Sequence, residues 1–209
     1  MKVCYVTDRK ALSAAPGEQT RLLLEKMESA ARAGVDWIQI REKDMCGREL
    51  ADLVLEALRR IPRACRILLN DRLDVALGAR AGGVHLAESS VPVADAKRLV
   101  AGKAGGADFL IGVSVHSLAS ARAAAHGGAD YAIFGPVFET PSKAAFGRPQ
   151  GLAQLGNVCA NVRMPVLAIG GITTATVRGC IEAGAAGVAA VRLFQDSEEL
   201  GELMRELHA

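Results

Sequence analysis

The feature that most constrains this chain is an alternation of two textures. Short runs of Val, Ile and Leu are each followed by a longer stretch of Ala, Leu, Glu and Arg at helical spacing. That pattern marks βα units, in which a strand buried on both faces is followed by a covering helix. It predicts strands at Val3–Thr7, Trp37–Arg41, Arg66–Leu69, Gly83–Leu86, Phe109–Val113, Tyr131–Gly135, Val166–Ile169 and Val188–Leu193. Helices are predicted near 18–33, 47–60, 72–81, 93–101, 117–126, 150–160, 174–183 and 197–207. Eight units averaging roughly 26 residues fit the lower end of the (β/α)8 range, near ~200 residues. The predicted fold is α/β, a single (β/α)8 TIM barrel over residues 1–209, because no Pro/Ser-rich linker marks a boundary. The structural competitor is an open doubly wound sheet, which requires two or three of these strands to be misplaced or to lie at an edge.

Local chemistry supports the helix ends. Asp71 and Asp95 lie early in their helices, Ser117 is placed to cap the fifth, and Thr173 or Thr174 the seventh. The phrases Ala33-Gly34-Val35-Asp36, Ala81-Gly82-Gly83-Val84, Gly127-Gly128-Ala129-Asp130 and Ala183-Gly184-Ala185-Ala186-Gly187 recur between a helix and the next strand. They read as repeated αβ turns in which Gly ends the helix.

Composition removes several function classes. Fifty per cent hydrophobic and 23% charged residues exclude a disordered chain, and the net charge of +2 supplies no broad field for nucleic acid or anionic membrane. Aromatics at 4% leave little for a base-stacking platform. Cys4, Cys46, Cys65, Cys159 and Cys180 are odd in number and never form a C-x-x-C pair, so they read as free thiols of a reducing cytoplasm. The apolar run Val3–Val6 is too short for a signal-peptide core, and no run reaches the ~18 apolar residues of a transmembrane helix. The expected partners are small molecules, and the chain is compatible with homo-oligomer formation.

Polar residues inside buried strands need a specific explanation. In Trp37-Ile38-Gln39-Ile40-Arg41-Glu42-Lys43, a period of two puts Gln39, Arg41 and Lys43 on one face and the isoleucines on the other. If the isoleucines pack on helices, Gln39 and Arg41 point inward at the carboxyl end, where barrel active sites are built. An amide and two cations there suit an anionic ligand; the bland alternative is a solvated strand exit. Asn70 and Asp71 close the third strand, where Asp71 reads either as a helix cap or as an oxygen ligand for Mg²⁺. The loop after the sixth strand is long and carries Thr140, Ser142 and Lys143, two hydroxyls and an ammonium suited to phosphate oxygens. Gly170 and Gly171 end the seventh strand just before a helix, a natural phosphate site that Arg192 of the eighth strand could reach, or else an ordinary tight turn. Ser114 and His85 join the same mouth, or serve as a helix-entry residue and a satisfied core histidine.

Taken in order, Gln39-Ile40-Arg41-Glu42-Lys43, Asn70-Asp71-Arg72, Gly83-Val84-His85-Leu86, Gly112-Val113-Ser114-Val115-His116, Ala129-Asp130-Tyr131, Gly135-Pro136-Val137-Phe138, Thr140-Pro141-Ser142-Lys143 and Ala168-Ile169-Gly170-Gly171-Ile172 resemble one family across nearly the whole chain. It is the family of small barrels that contains thiamin phosphate synthase and thiazole tautomerase. For a synthase, the resemblance implies that Gln39 and Ser114 contact an aminopyrimidine, and that Arg41, Lys43, Asn70, Thr140, Ser142 and Lys143 hold its diphosphate. It implies that Asp71 holds Mg²⁺, and that Gly170 and Gly171, with Val191 and Arg192 at the end of strand eight, bind the phosphate of a thiazole substrate. Arg41, Lys43, Lys143 and Ser114 would then be the catalytic set. The implied reaction joins hydroxymethylpyrimidine diphosphate to hydroxyethylthiazole phosphate and releases diphosphate. Three positions depart from the family pattern. Ser90 stands where a second metal-binding Asp is expected, Arg192 where the synthase has a small hydroxyl residue, and Pro136 where the tautomerase has a histidine. The intact diphosphate set favours the synthase; a tautomerase and a non-catalytic phosphometabolite-binding barrel are the alternatives.

Overall fold

The computed structural model describes residues 1–102, 108–140 and 149–209. Its centre is a closed barrel of eight parallel strands in chain order: β1 (Lys2–Val6), β2 (Trp37–Ile40), β3 (Arg66–Asn70), β4 (Gly83–Leu86), β5 (Leu110–Val115), β6 (Tyr131–Phe134), β7 (Val166–Ile169) and β8 (Gly187–Ala190). Closure is made by β1 against β8, with Lys2 opposite Gly187 and Tyr5 opposite Ala190. An open doubly wound sheet lacks that pairing, so the competitor is excluded. Around the barrel run α1 (Pro16–Arg32), α2 (Gly47–Arg60), α3 (Leu73–Gly78), α4 (Val93–Val100), α5 (Leu118–His126), α6 (Gly151–Asn161), α7 (Thr174–Glu182), α8 (Arg192–Gln195) and α9 (Leu200–His208).

The strands sort their residues by the period of two. Val3, Tyr5, Ile38, Ile40, Val84, Ile111, Val113, Phe134 and Val188 face outward into the large core shared with the helices. Cys4, Val6, Leu68, Tyr131, Ile133, Leu167 and Ala189 face inward and pack across the barrel axis, with Trp37 against Tyr131 at 4.6 Å. Truncating a large residue in either core costs about 2–5 kcal/mol, so the inward or outward register of each strand is strongly specified. That register carries Gln39, Asn70, His85 and Ser114 into the barrel at its carboxyl end.

Four sequence-based expectations are corrected. The eighth strand stops at Ala190 rather than Leu193, because Val191 caps a helical turn that buries Phe194 against Tyr5 at 5.3 Å. The third helix spans only Leu73–Gly78, cut at both ends by left-handed backbone at Asp71 (φ 62°) and Arg80 (φ 56°). Arg80 therefore takes in the third αβ turn the conformation that Gly34, Gly128 and Gly184 take in the other three. The last helix begins at Leu200, three residues later than predicted. Ser117 and Thr173 are N-caps as expected.

Candidate active site

The exit of β2 is organised by a buried threonine. Thr7 has no solvent exposure; its hydroxyl donates to Glu42 Oε1 at 2.5 Å and accepts the Arg41 N–H at 2.9 Å. Glu42 also accepts the Arg9 backbone N–H at 3.2 Å and the Arg9 guanidinium at 3.0 Å, while Arg9 makes two further bonds to Asp44. Glu42 is 5% exposed, so the solvated-strand-exit reading fails for this residue. A carboxylate is retained there because hydrogen bonds and a partner cation replace its lost water. The clamp holds the backbone from Arg41 to the turn closed by Met45 N–H on Glu42 O, which presents Lys43 as an exposed side chain. Arg41 forms no ion pair with any described residue and is half-buried at the mouth. Neither Thr7 nor Glu42 was singled out by sequence reasoning; a hydroxyl at the end of one strand and a carboxylate just after the next was the available signal.

On the adjacent strands, Gln39 Nε2 donates to Asn70 Oδ1 at 3.1 Å, bringing together the two amides predicted for the site. Asp71 follows Asn70 and is not a helix cap: Arg72 occupies the N-cap of α3. Instead the Asp71 N–H donates to His85 O at 2.8 Å, extending the pairing of β3 with β4. The Asp71 side chain turns toward the loop after β4, accepting the Ala87 N–H on Oδ1 at 3.4 Å. In that loop Glu88 Oε2 lies 3.8 Å from His116 Nε2, and His116 Nδ1 donates to Gly135 O at 2.6 Å. His116 thus links the loops after β4, β5 and β6 at the mouth, a role visible only once the strands are closed.

Inside the barrel, His85 Nε2 is 2.9 Å from Ser114 Oγ and its Nδ1 is 3.1 Å from Tyr131 OH. Burial lowers the His85 pKa to about 3, with the Asp71 charge opposing and the Arg41 charge reinforcing the shift, so the ring is neutral. His85 is both things the sequence allowed: a satisfied core histidine and a neighbour of the mouth. Ser114 lies within β5, whose end at Val115 excludes a helix-entry role.

On the far side, the loop after β6 continues along β7. Val137 N–H donates to Ile169 O at 2.8 Å, Phe138 N–H to Gly170 O at 3.0 Å, and Gln150 N–H returns to Pro136 O at 2.8 Å. The loop therefore leaves and re-enters at the mouth, with Thr140 half-buried near its start. Ser142 and Lys143 lie outside the described residues. Gly170 and Gly171 have positive φ of 94° and 65°; an added Cβ would come within 2.6 Å of Pro136 Cβ or of Glu139 O. Close approach of the β6 loop thus demands glycine at both positions before any ligand is considered. Val191 and Arg192 do not end a strand. They open α8, with Arg192 exposed at its first position, because the helical turn is what seats Phe194 and lets Gln195 reach Asp8 O.

Comparison with known proteins identifies a family and a shared fold. Residues 3–194 match the family model described as thiamine monophosphate synthase. A putative thiamine-phosphate synthase of Geobacter sulfurreducens is 46% identical over 173 residues, 82% of this chain and 78% of the relative. A thiamine-phosphate synthase of Methanoculleus marisnigri is 46% identical over 164 residues, 78% of this chain and 75% of that one. The solved thiamine phosphate pyrophosphorylase of Pyrococcus furiosus superposes with a TM-score of 0.83 at 29% identity, covering 99% of this chain and 93% of its own. The chain belongs to the thiamine monophosphate synthase family.

Proposed function

We propose that this chain couples hydroxymethylpyrimidine diphosphate to hydroxyethylthiazole phosphate, forming thiamin phosphate and diphosphate. The observation that carries the reading is the convergence of Gln39, Arg41, Asn70, Asp71 and Ser114 at the carboxyl end of β2 to β5, facing Gly170 and Gly171 across the mouth. In this reading Gln39 and Ser114 orient the aminopyrimidine, and Arg41, Lys43, Asn70 and Thr140, with Ser142 and Lys143, hold the diphosphate. The bond from the pyrimidine methylene carbon to the diphosphate oxygen breaks with its electron pair leaving on diphosphate. The electron-rich ring spreads the positive charge left on carbon, and the thiazole nitrogen donates its lone pair to that carbon. No proton abstraction and no covalent enzyme intermediate are needed, so the residues act by neutralising departing charge and by holding both partners in line. Arg41 suits the first task because no carboxylate of the described residues pairs with it. The Gly170-Gly171 turn and the N-terminus of α7 supply N–H groups for the thiazole phosphate.

The donor set at the mouth fits a magnesium ion that keeps several waters and shares substrate oxygens. The Asp71 carboxylate accepts only one long hydrogen bond among the described residues, Glu88 lies on the facing loop, and no group of three or more His, Cys, Asp or Glu is present among the described residues to form an all-protein cage. Asp71 would hold the ion, with Ser90 contributing a hydroxyl at most; bound there it would supply charge neutralisation for the diphosphate. The five unpaired thiols support a cytoplasmic setting.

The test is product formation from both substrates across a Mg²⁺ titration, with chelator as control. Metal-dependent thiamin phosphate is expected. Absence of product at saturating substrates would overturn the synthase; thiazole isomerisation in that case would assign the tautomerase, and thiazole phosphate binding without turnover the binding protein.

A further inference from the structure

The barrel interior holds three polar groups at consecutive contact that pure packing does not call for. Gly112 on β5 stands in register with His85 on β4 and with Tyr131 on β6. A Cβ at Gly112 would lie 2.0 Å from Tyr131 Cζ, so the missing side chain is what lets the tyrosine reach across β5 to His85. The contacts then run from Tyr131 OH to His85 Nδ1 at 3.1 Å and from His85 Nε2 to Ser114 Oγ at 2.9 Å.

We infer that Tyr131 and His85 are positioning residues that fix Ser114 as a hydrogen-bond donor toward the mouth, selecting a ligand whose facing edge carries a neutral acceptor such as a ring nitrogen. The ligand half of this inference rests on the synthase reading; the proton order does not. Tyr131 is 1% exposed, and its hydroxyl meets His85 as its hydrogen-bond partner. An orphaned buried O–H costs about 1–3 kcal/mol, so the tyrosine donates and Nδ1 accepts. A neutral imidazole accepting on Nδ1 carries its proton on Nε2. That N–H donates to Ser114 Oγ, and the serine, already accepting from below, directs its own O–H upward. The opposite tautomer would leave the tyrosine proton unpaired, turn the serine O–H down onto Nε2 and present only a lone pair to the ligand. With the ring 2% exposed and a hydroxyl on each of its nitrogens, the column is held in its neutral form. Donor character at this one oxygen distinguishes a pyridine-type ring nitrogen from a ring N–H or an ammonium group, which an acceptor serine would favour instead.

The experiment has two arms. In the first, the protein is labelled with ¹⁵N-histidine and the ring nitrogens of His85 are observed directly, assigned by loss of their signals in His85→Asn. A protonated, pyrrole-type Nε2 with a pyridine-type Nδ1 is expected; the reverse pattern overturns the inference whatever the activity. Tyr131→Phe removes the ordering proton and should shift the pattern toward a mixture of tautomers, and it stands in for the assignment if His85→Asn fails to fold. In the second arm, kcat and KM for hydroxymethylpyrimidine diphosphate and for hydroxyethylthiazole phosphate are measured in Ser114→Ala, His85→Asn and the double variant. If His85 acts through Ser114, each single change raises the pyrimidine KM about 10-fold with little change for the thiazole, and the double is no worse than either. Multiplying losses of about 100-fold in the double would overturn a positioning role. The predicted ¹⁵N pattern together with an unchanged pyrimidine KM in Ser114→Ala would sustain the column and overturn the placement of the pyrimidine.

Discussion

At the amino end of the barrel, Asp130 accepts the Ile111 N–H at 2.7 Å and both of its oxygens meet Lys97, at 2.7 and 2.8 Å. Asp36 repeats the device, taking the Val3 N–H at 2.9 Å and Lys2 at 2.7 Å. At the carboxyl end, the Asp71 carboxylate accepts one bond of 3.4 Å and Arg41 has no ion pair among the described residues. Both aspartates lie in the recurrent αβ turns and hold residues near the start of β1 and β5 in place. The lesson is about satisfaction. Where polar groups serve stability their partners are internal, and where they serve a ligand some valence is left for it.

Substitutions can break that contrast. Arg41→Ala should lower kcat/KM about 10²-fold, near 3 kcal/mol of transition-state stabilisation, with folding free energy moving by less than about 0.5 kcal/mol; steady-state kinetics beside urea unfolding checks both, and a variant that unfolds easily but turns over normally would reverse the assignment. Thr7→Val probes the one place where the two roles meet, because its hydroxyl serves the buried Glu42 and the Arg41 backbone together. A loss of about 2 kcal/mol in unfolding free energy is expected, accompanied by a drop in kcat/KM through displaced Arg41; stability loss with full activity would show that the clamp does not position the site. Asp130→Ala should cost about 1–2 kcal/mol through the unpaired Ile111 N–H and the lost lysine contact, with turnover per folded molecule unchanged. An activity loss there would erase the difference between the ends.

The smallest expected effect is on acid stability. His85 titrates near 6.5 when unfolded and near 3 in the barrel, so between these values the unfolded chain binds more protons and stability falls as pH falls. The first unit below pH 6.5 should cost about 1 kcal/mol. Urea midpoints at pH 6.5 and 5.5, compared between the native chain and His85→Asn, measure it; equal slopes in the two proteins would mean that the histidine is not held neutral by burial.

Much of this barrel is legible in the chain because strand burial and helix amphipathicity are local patterns. The alternation at Trp37–Ile40 suffices to put Gln39 inside, since a period of two leaves no other face once the isoleucines are buried. The same logic extends β8 too far. Val188 to Leu193 is uniformly strand-like, and only the demand of Tyr5 for a covering ring turns Phe194 inward through a helical turn, carrying Val191 and Arg192 off the strand. Asp71 resembles a cap because Asn and Asp before a helix usually are, whereas its bond to His85 O pulls it into left-handed backbone.

The sequence by itself determined the eight βα units, which polar residues interrupt them, and the family to which those interruptions point. Tertiary structure decided who satisfies whom: that Glu42 is buried beneath Thr7, that Gly112 is vacant for Tyr131, and that His85 stands between tyrosine and serine. The hydrogen bonds among them join residues 29 to 46 positions apart, carried on or just beyond different strands. Periodicity reports which face a residue takes, whereas hydrogen-bond partnership depends on the register between strands, which exists only when the barrel closes.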